Sequence, residues 1–150
     1  LAAEGAVSGP FLLLMTDHLF EQSTLKTLLR ASERTDADVI MAVDFKVDAI
    51  WDLEDATKVL TVDSRVRAIG KSVRPFNAID TGMFVCRGGV FPGIRAAAAA
   101  GDASLSGGIA ELAAGGNVET IDIGSGRWID VDTPAARAIA ERMVAAGELS

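Results

Sequence analysis

Short unbroken apolar runs alternate with stretches of helical spacing along this chain, the pattern expected of an α/β domain. Phe11-Leu-Leu-Leu-Met15 stops at Thr16-Asp17-His18, and Leu25, Leu28 and Leu29 then recur at helical spacing, which predicts strand, loop and helix. Val39–Val43 repeats the apolar run and ends on Asp44. The two runs flank a helix of about the length a βαβ crossover requires, so the first expectation is a parallel sheet whose strands are buried on both faces. Lys58–Val62 and Arg65–Ile69 alternate polar with apolar about Asp63-Ser64 and predict a hairpin with one solvated face. Asp80–Cys86 reads as a strand entered through Gly82, followed by helices near 88–100 and 105–114, the second closed by Gly115-Gly116-Asn117. Val118–Ile123 and Arg127–Val131 predict two further strands joined by Gly124-Ser125-Gly126. Thr133 caps a last helix that begins with Pro134, where a missing N–H costs nothing.

Composition narrows the class. A length of 150 residues with no repeat or linker fits one domain, 1–150, and 49% hydrophobic with 23% charged residues is ordinary for a soluble protein. No run approaches the ~20 apolar residues of a membrane span. The run at 11–15 has neither a basic segment before it nor a small-residue cleavage site after it, so it reads as strand and not as a signal peptide. A net charge of −7 without a basic stripe argues against binding a nucleic-acid backbone. The lone Cys86 excludes an internal disulfide and, with no Cys/His cluster, a structural zinc site; a cytoplasmic location is the default.

In α/β sheets ligands gather beyond the carboxyl ends of strands, which directs attention to polar residues just after apolar runs. Asp17 and Asp130 stand in such places. Two carboxylates brought together repel unless a cation lies between them, and Mg²⁺ is typically held by one or two carboxylates plus substrate phosphates. Each aspartate alone also fits a helix cap or a loop charge. His18 is the only histidine and has no triad partner in view. Lys71, beside Gly70, fits a phosphate-binding cation or a solvated lysine. Asp80-Thr81-Gly82 offers side-chain oxygens next to a glycine where a ligand can approach the backbone.

Taken in order, Phe-Leu-Leu-Leu-Met-Thr-Asp-His (11–18), Ala-Thr-Lys-Val (56–59), Ile-Gly-Lys (69–71), Asp-Thr-Gly-Met-Phe-Val (80–85), Leu-Ser-Gly-Gly-Ile (105–109) and Trp-Ile-Asp-Val-Asp-Thr-Pro (128–134) form a pattern that resembles the sugar-phosphate nucleotidyltransferase superfamily. The likeness is greatest to inositol-1-phosphate cytidylyltransferases, whose transferase domain is often fused to a membrane phosphatidyltransferase-like domain. It implies a mostly parallel, doubly wound, Rossmann-like and GT-A-like mixed sheet with a β-hairpin insertion. The implied reaction is Mg²⁺-dependent transfer from CTP to a phosphorylated polyol such as inositol 1-phosphate, releasing pyrophosphate. It further implies Asp17 and Asp130 as metal ligands and catalytic residues, Lys71 as the phosphate-steadying catalytic cation, Asp80, Thr81, Gly82 and Lys58 at the substrate, and His18 and Asp132 in support behind them. Hexose 1-phosphate, phosphocholine and molybdopterin are alternative acceptors on this fold, and a non-catalytic binding domain is the alternative from another class. The family pattern begins with a strand and a Gly-rich phosphate loop, Leu-Ala-Ala-Gly-x-Gly-x-Arg, that these residues lack. Residues 1–8 resemble the tail of the helix before the Asp-His strand. The chain is therefore expected to be the C-terminal two-thirds of the family domain, N-terminally truncated, and inactive by itself, with an open edge beside residues 11–15.

Overall fold

Strands β1 (Phe11–Leu14), β2 (His18–Phe20), β3 (Val39–Asp44), β4 (Lys58–Val62), β5 (Arg65–Gly70), β6 (Ala78–Cys86), β7 (Val118–Asp122) and β8 (Trp128–Asp130) are interleaved with helices α1 (Gln22–Ser32), α2 (Val90–Ala99), α3 (Leu105–Ala114) and α4 (Pro134–Ala145). This computed structural model describes residues 1–149. Six strands make one sheet in the order β1-β6-β3-β7-β5-β4, and β2 with β8 make a separate two-stranded ribbon.

The sheet is mixed. β3 and β7 pair in parallel, while β6 lies between β1 and β3 and is antiparallel to both. β1, β3 and β7 therefore point the same way, and the crossover expected over 11–43 passes over one intervening strand. The continuous apolar run of β3 has a simple cause. Val39, Met41 and Val43 face one core with Val66, Phe84, Phe91 and Ile109, whereas Ile40 and Ala42 face a second core with Leu28, Met83, Val85 and Ile123. A strand buried on both faces needs apolar side chains at every position, and each large one removed from water contributes about 1.5–3 kcal/mol.

β1 lies at an open edge, as expected beside residues 11–15, but is not buried on both faces. Among the described residues it pairs with β6 on one side. Phe11 and Leu13 pack on the core, but Leu12 and Leu14 reach the surface. Two other readings also change. Residues 2–6 form turns with i to i−3 hydrogen bonds and no α-helix, in a stretch broken by Gly5, Gly9 and Pro10. The run after Asp17 is a strand, not a loop, and α1 starts only at Gln22.

The hairpin β4–β5 turns through Asp63 and Ser64, both at positive φ (50° and 60°), and Val62 faces Arg65 across it. Ser104 and Thr133 cap α3 and α4 through their side-chain oxygens, which accept from Gly107 N–H and Ala136 N–H. Among the described residues no helix is long and apolar enough to cross a membrane.

Candidate active site

The chain leaves β1 through Met15, Thr16 and Asp17 and at once enters the ribbon, in which His18 pairs with Asp130, Leu19 with Ile129 and Phe20 with Trp128. Val131 N–H donates to Asp17 O at 2.8 Å and extends the pairing by one bond. A three-residue ribbon thus brings the loop after the first strand against the segment before the last helix. One ligand atom each from Asp17, His18 and Asp130 lie within 4.8 Å of one another.

Beneath them β6 is irregular. Its register against β3 shifts between Met41↔Phe84 and Val43↔Asp80, so that Thr81, Gly82 and Met83 stand opposite Ala42 alone. Such bulges re-aim side chains beside functional sites. Here Thr81 Oγ1–H donates to Ala42 O at 2.7 Å, Gly82 N–H donates to Asp80 Oδ1 at 2.9 Å, and Met15 N–H donates to Gly82 O at 2.9 Å. Gly82 has φ 75°, and a Cβ on it would collide with the His18 ring.

A cleft of about 300 Å³ opens at this place, lined by six aspartates (17, 52, 55, 80, 130 and 132) and one lysine, Lys71, together with Trp51, Thr57, Ser106 and Trp128 among others. Its electrostatics are those of crowded carboxylates. Burial raises the pKa of Asp130, opposed by His18 in its protonated form and reinforced by Asp132 and Asp17. Desolvation pushes Asp80 up to about 6, against its bond from Gly82 N–H and the charge of the nearby His18 when protonated. Lys71 Nζ donates to Asp55 Oδ1 at 2.6 Å, the chief cause of a raised lysine pKa. Asp130 Oδ1 is buried and has no hydrogen-bond partner among the described residues.

Asp17, His18, Lys71, Asp80, Asp130 and Asp132 all line the cleft. Thr81, Gly82 and Lys58, expected at the substrate, do not. Thr81 and Gly82 act from below, one through its carbonyl on His18 and the other by leaving room for that ring. Lys58 is 1% exposed; its Nζ donates to Glu54 O at 2.6 Å and pins the loop that carries Asp52 and Asp55. Burial, then the charge of Arg74, lowers its pKa.

Several residues around the cleft were not singled out from the sequence. Trp128 stacks on His18 (ring centroids 5.4 Å, 25° between planes), and its Nε1–H donates to the buried Asp44 at 3.0 Å. Asp44 also accepts from Lys46 N–H at 2.7 Å and pairs with Lys46 Nζ at 2.8 Å. Asp44, directly after an apolar run, carried the same signal as Asp17. Trp51, 63% exposed, and Asp55 lie in a loop with no periodic signal at all.

No family model matches the chain. A Rubrobacter xylanophilus protein named bifunctional IPC transferase and DIPP synthase is 32% identical over 147 residues, 96% of this chain and 32% of the relative. The structure of the inositol-1-phosphate CTP transferase from T. maritima superposes with a TM-score of 0.82 at 30% identity, over 99% of this chain and 59% of that one. The chain belongs to the sugar-phosphate nucleotidyltransferase superfamily. A Bacillus anthracis structure assigned as a glucose-1-phosphate thymidylyltransferase shares the nucleotidyltransferase fold at 16% identity, with a TM-score of 0.79 over 95% of this chain and 57% of that one. This nucleotidyltransferase-family chain spans about a third of the length of the curated relatives that it matches most fully.

Proposed function

We propose that the protein transfers a nucleotidyl group from CTP to a phosphorylated polyol such as inositol 1-phosphate and releases pyrophosphate. The observation that carries this reading is the β2–β8 ribbon, which sets Asp17 and Asp130 side by side in a cleft that also holds Asp80 and Lys71. The likeness to the T. maritima inositol-1-phosphate CTP transferase supports the choice of nucleotide and acceptor.

In the reaction an acceptor phosphate oxygen bonds to the α-phosphorus, the bond from that phosphorus to the α–β bridging oxygen breaks, and pyrophosphate departs with the electron pair. A phosphate monoester loses its second proton near pH ~6, so the attacking oxygen is already anionic at neutral pH and needs no general base. The residues' task is then alignment and charge neutralisation. The donor set suits Mg²⁺: hard carboxylate oxygens, one of them the buried, unpartnered Asp130 Oδ1, in a cleft whose carboxylates otherwise repel. Asp17 and Asp130 would hold the ion, which supplies neutralisation of the charge developing on the triphosphate. Lys71 would exchange Asp55 for a phosphate oxygen. Asp80, with Thr57 and Ser106 nearby, would bond the hydroxyls of the acceptor.

Pyrophosphate release by single variants tests the assignment. Asp130→Asn should lower kcat about 100-fold or more and Lys71→Ala about 10-fold or more, the usual scale for groups that face developing charge. Unchanged kcat in either removes that residue from the mechanism.

A further inference from the structure

We propose that His18 is itself a ligand of the divalent cation, through Nε2, so that the metal site comprises Asp17, His18 and Asp130 and admits nitrogen-seeking metals. The proposal rests on the reading that Asp17 and Asp130 hold a divalent cation. His18 Nδ1 lies 2.9 Å from Thr81 O. A carbonyl oxygen can only accept, so Nδ1 carries the proton, and in the neutral ring Nε2 is left as a bare lone pair. That lone pair faces Asp130 Oδ2 at 3.6 Å and Asp17 Oδ1 at 3.9 Å, both too long for hydrogen bonds. Three acceptors turned toward one another repel unless a cation lies among them. Ligands about 2.1 Å from one ion stand about 3 Å apart when adjacent and about 4.2 Å apart when opposite. The two observed separations fall between those limits.

The ring has little freedom to point elsewhere. A backbone carbonyl on the second ring nitrogen is a common way of orienting a ligating imidazole. Trp128 stacks on the ring, and its own Nε1–H is held by Asp44, which Lys46 fixes in turn. Below the ring lies the Cβ-free Gly82, and the side chain is 12% exposed. An imidazole so placed strengthens binding of Co²⁺, Ni²⁺ or Zn²⁺ more than that of Mg²⁺, which prefers oxygen.

The test uses Mn²⁺ as a paramagnetic probe on the native protein, with electron spin echo modulation to read any nitrogen bonded to it and displacement by Mg²⁺ and Co²⁺ to give their affinities. Coupling to an imidazole ¹⁴N is expected, absent in His18→Gln, with Co²⁺ affinity down about 10- to 100-fold in that variant and Mg²⁺ affinity down less than about 3-fold. Should His18→Gln not fold, the native spectrum alone decides. Mn²⁺ that binds, is lost in Asp130→Asn and shows no nitrogen coupling overturns the role of His18 and leaves the two-aspartate site standing. Tighter metal binding by His18→Gln also overturns it, since the ring would then be acting as a competing cation. No Mn²⁺ binding at all overturns both this proposal and the cation reading beneath it.

Discussion

At the scale of single residues, Asp80 offers the sharpest physical test. Its pKa, about 6 in the folded protein, is raised by desolvation from about 3.9 in an unfolded chain. The native state therefore binds the proton more tightly, and Asp80 favours folding fully below pH ~4 and loses that contribution as pH rises through about 6. Asp80→Asn can still accept from Gly82 N–H but does not titrate. Relative to the native protein its stability should rise between pH ~4 and ~7 by on the order of 2 kcal/mol, read from urea unfolding across that range. A difference that stays constant with pH would show that Asp80 ionises normally. Aspartates at the ends of apolar runs were visible in the sequence because strand ends are where an α/β sheet exposes polar groups. Lys58, placed at the substrate by the family resemblance, is buried and does not line the cleft. A lysine in a strand normally reaches water, whereas this one buries its stem and spends its ammonium on the Glu54 carbonyl. The Trp128–Asp44 bond joins residues far apart in sequence, and no local pattern encodes it.

Among the elements, those set by local chemistry were legible. Thr133 announces its helix as a cap, and alternation about Asp63-Ser64 announces the hairpin. Both turn residues have positive φ, the geometry for which Asn-Gly is the favoured pair. Replacing Asp63-Ser64 with Asn-Gly should therefore stabilise the protein by about 0.5–1 kcal/mol, measured as an upward shift in Tm. A lower Tm would mean that the turn side chains make contacts worth more than the backbone strain they carry. The ribbon was not legible in the same way. β2 spans three residues, too short to show a period, and exists because β8 pairs with it. β1 has the composition of a strand buried on both faces, yet Leu12 and Leu14 reach the surface, because composition does not say which faces of a strand are covered.

For the whole molecule, the shared direction of β1 and β3 followed from the apolar pattern, but the placing of β6 between them, antiparallel to both, did not, since sheet order is decided by long-range packing. That order matters to the site: it carries Asp80 and the Thr81 carbonyl beneath the ribbon that holds Asp17, His18 and Asp130. The central claim is that this cleft joins a nucleotide to a phosphorylated polyol. The most direct test is pyrophosphate release by the protein, in the longest form its reading frame encodes, with Mg²⁺ and the common nucleoside triphosphates paired in turn with inositol 1-phosphate, hexose 1-phosphates and phosphocholine, the product being identified by mass. The account predicts release when CTP and inositol 1-phosphate are present together, with a product that joins the cytidylyl group to the acceptor phosphate. Preferential turnover of a hexose 1-phosphate or phosphocholine, or no release with any pair, would contradict it.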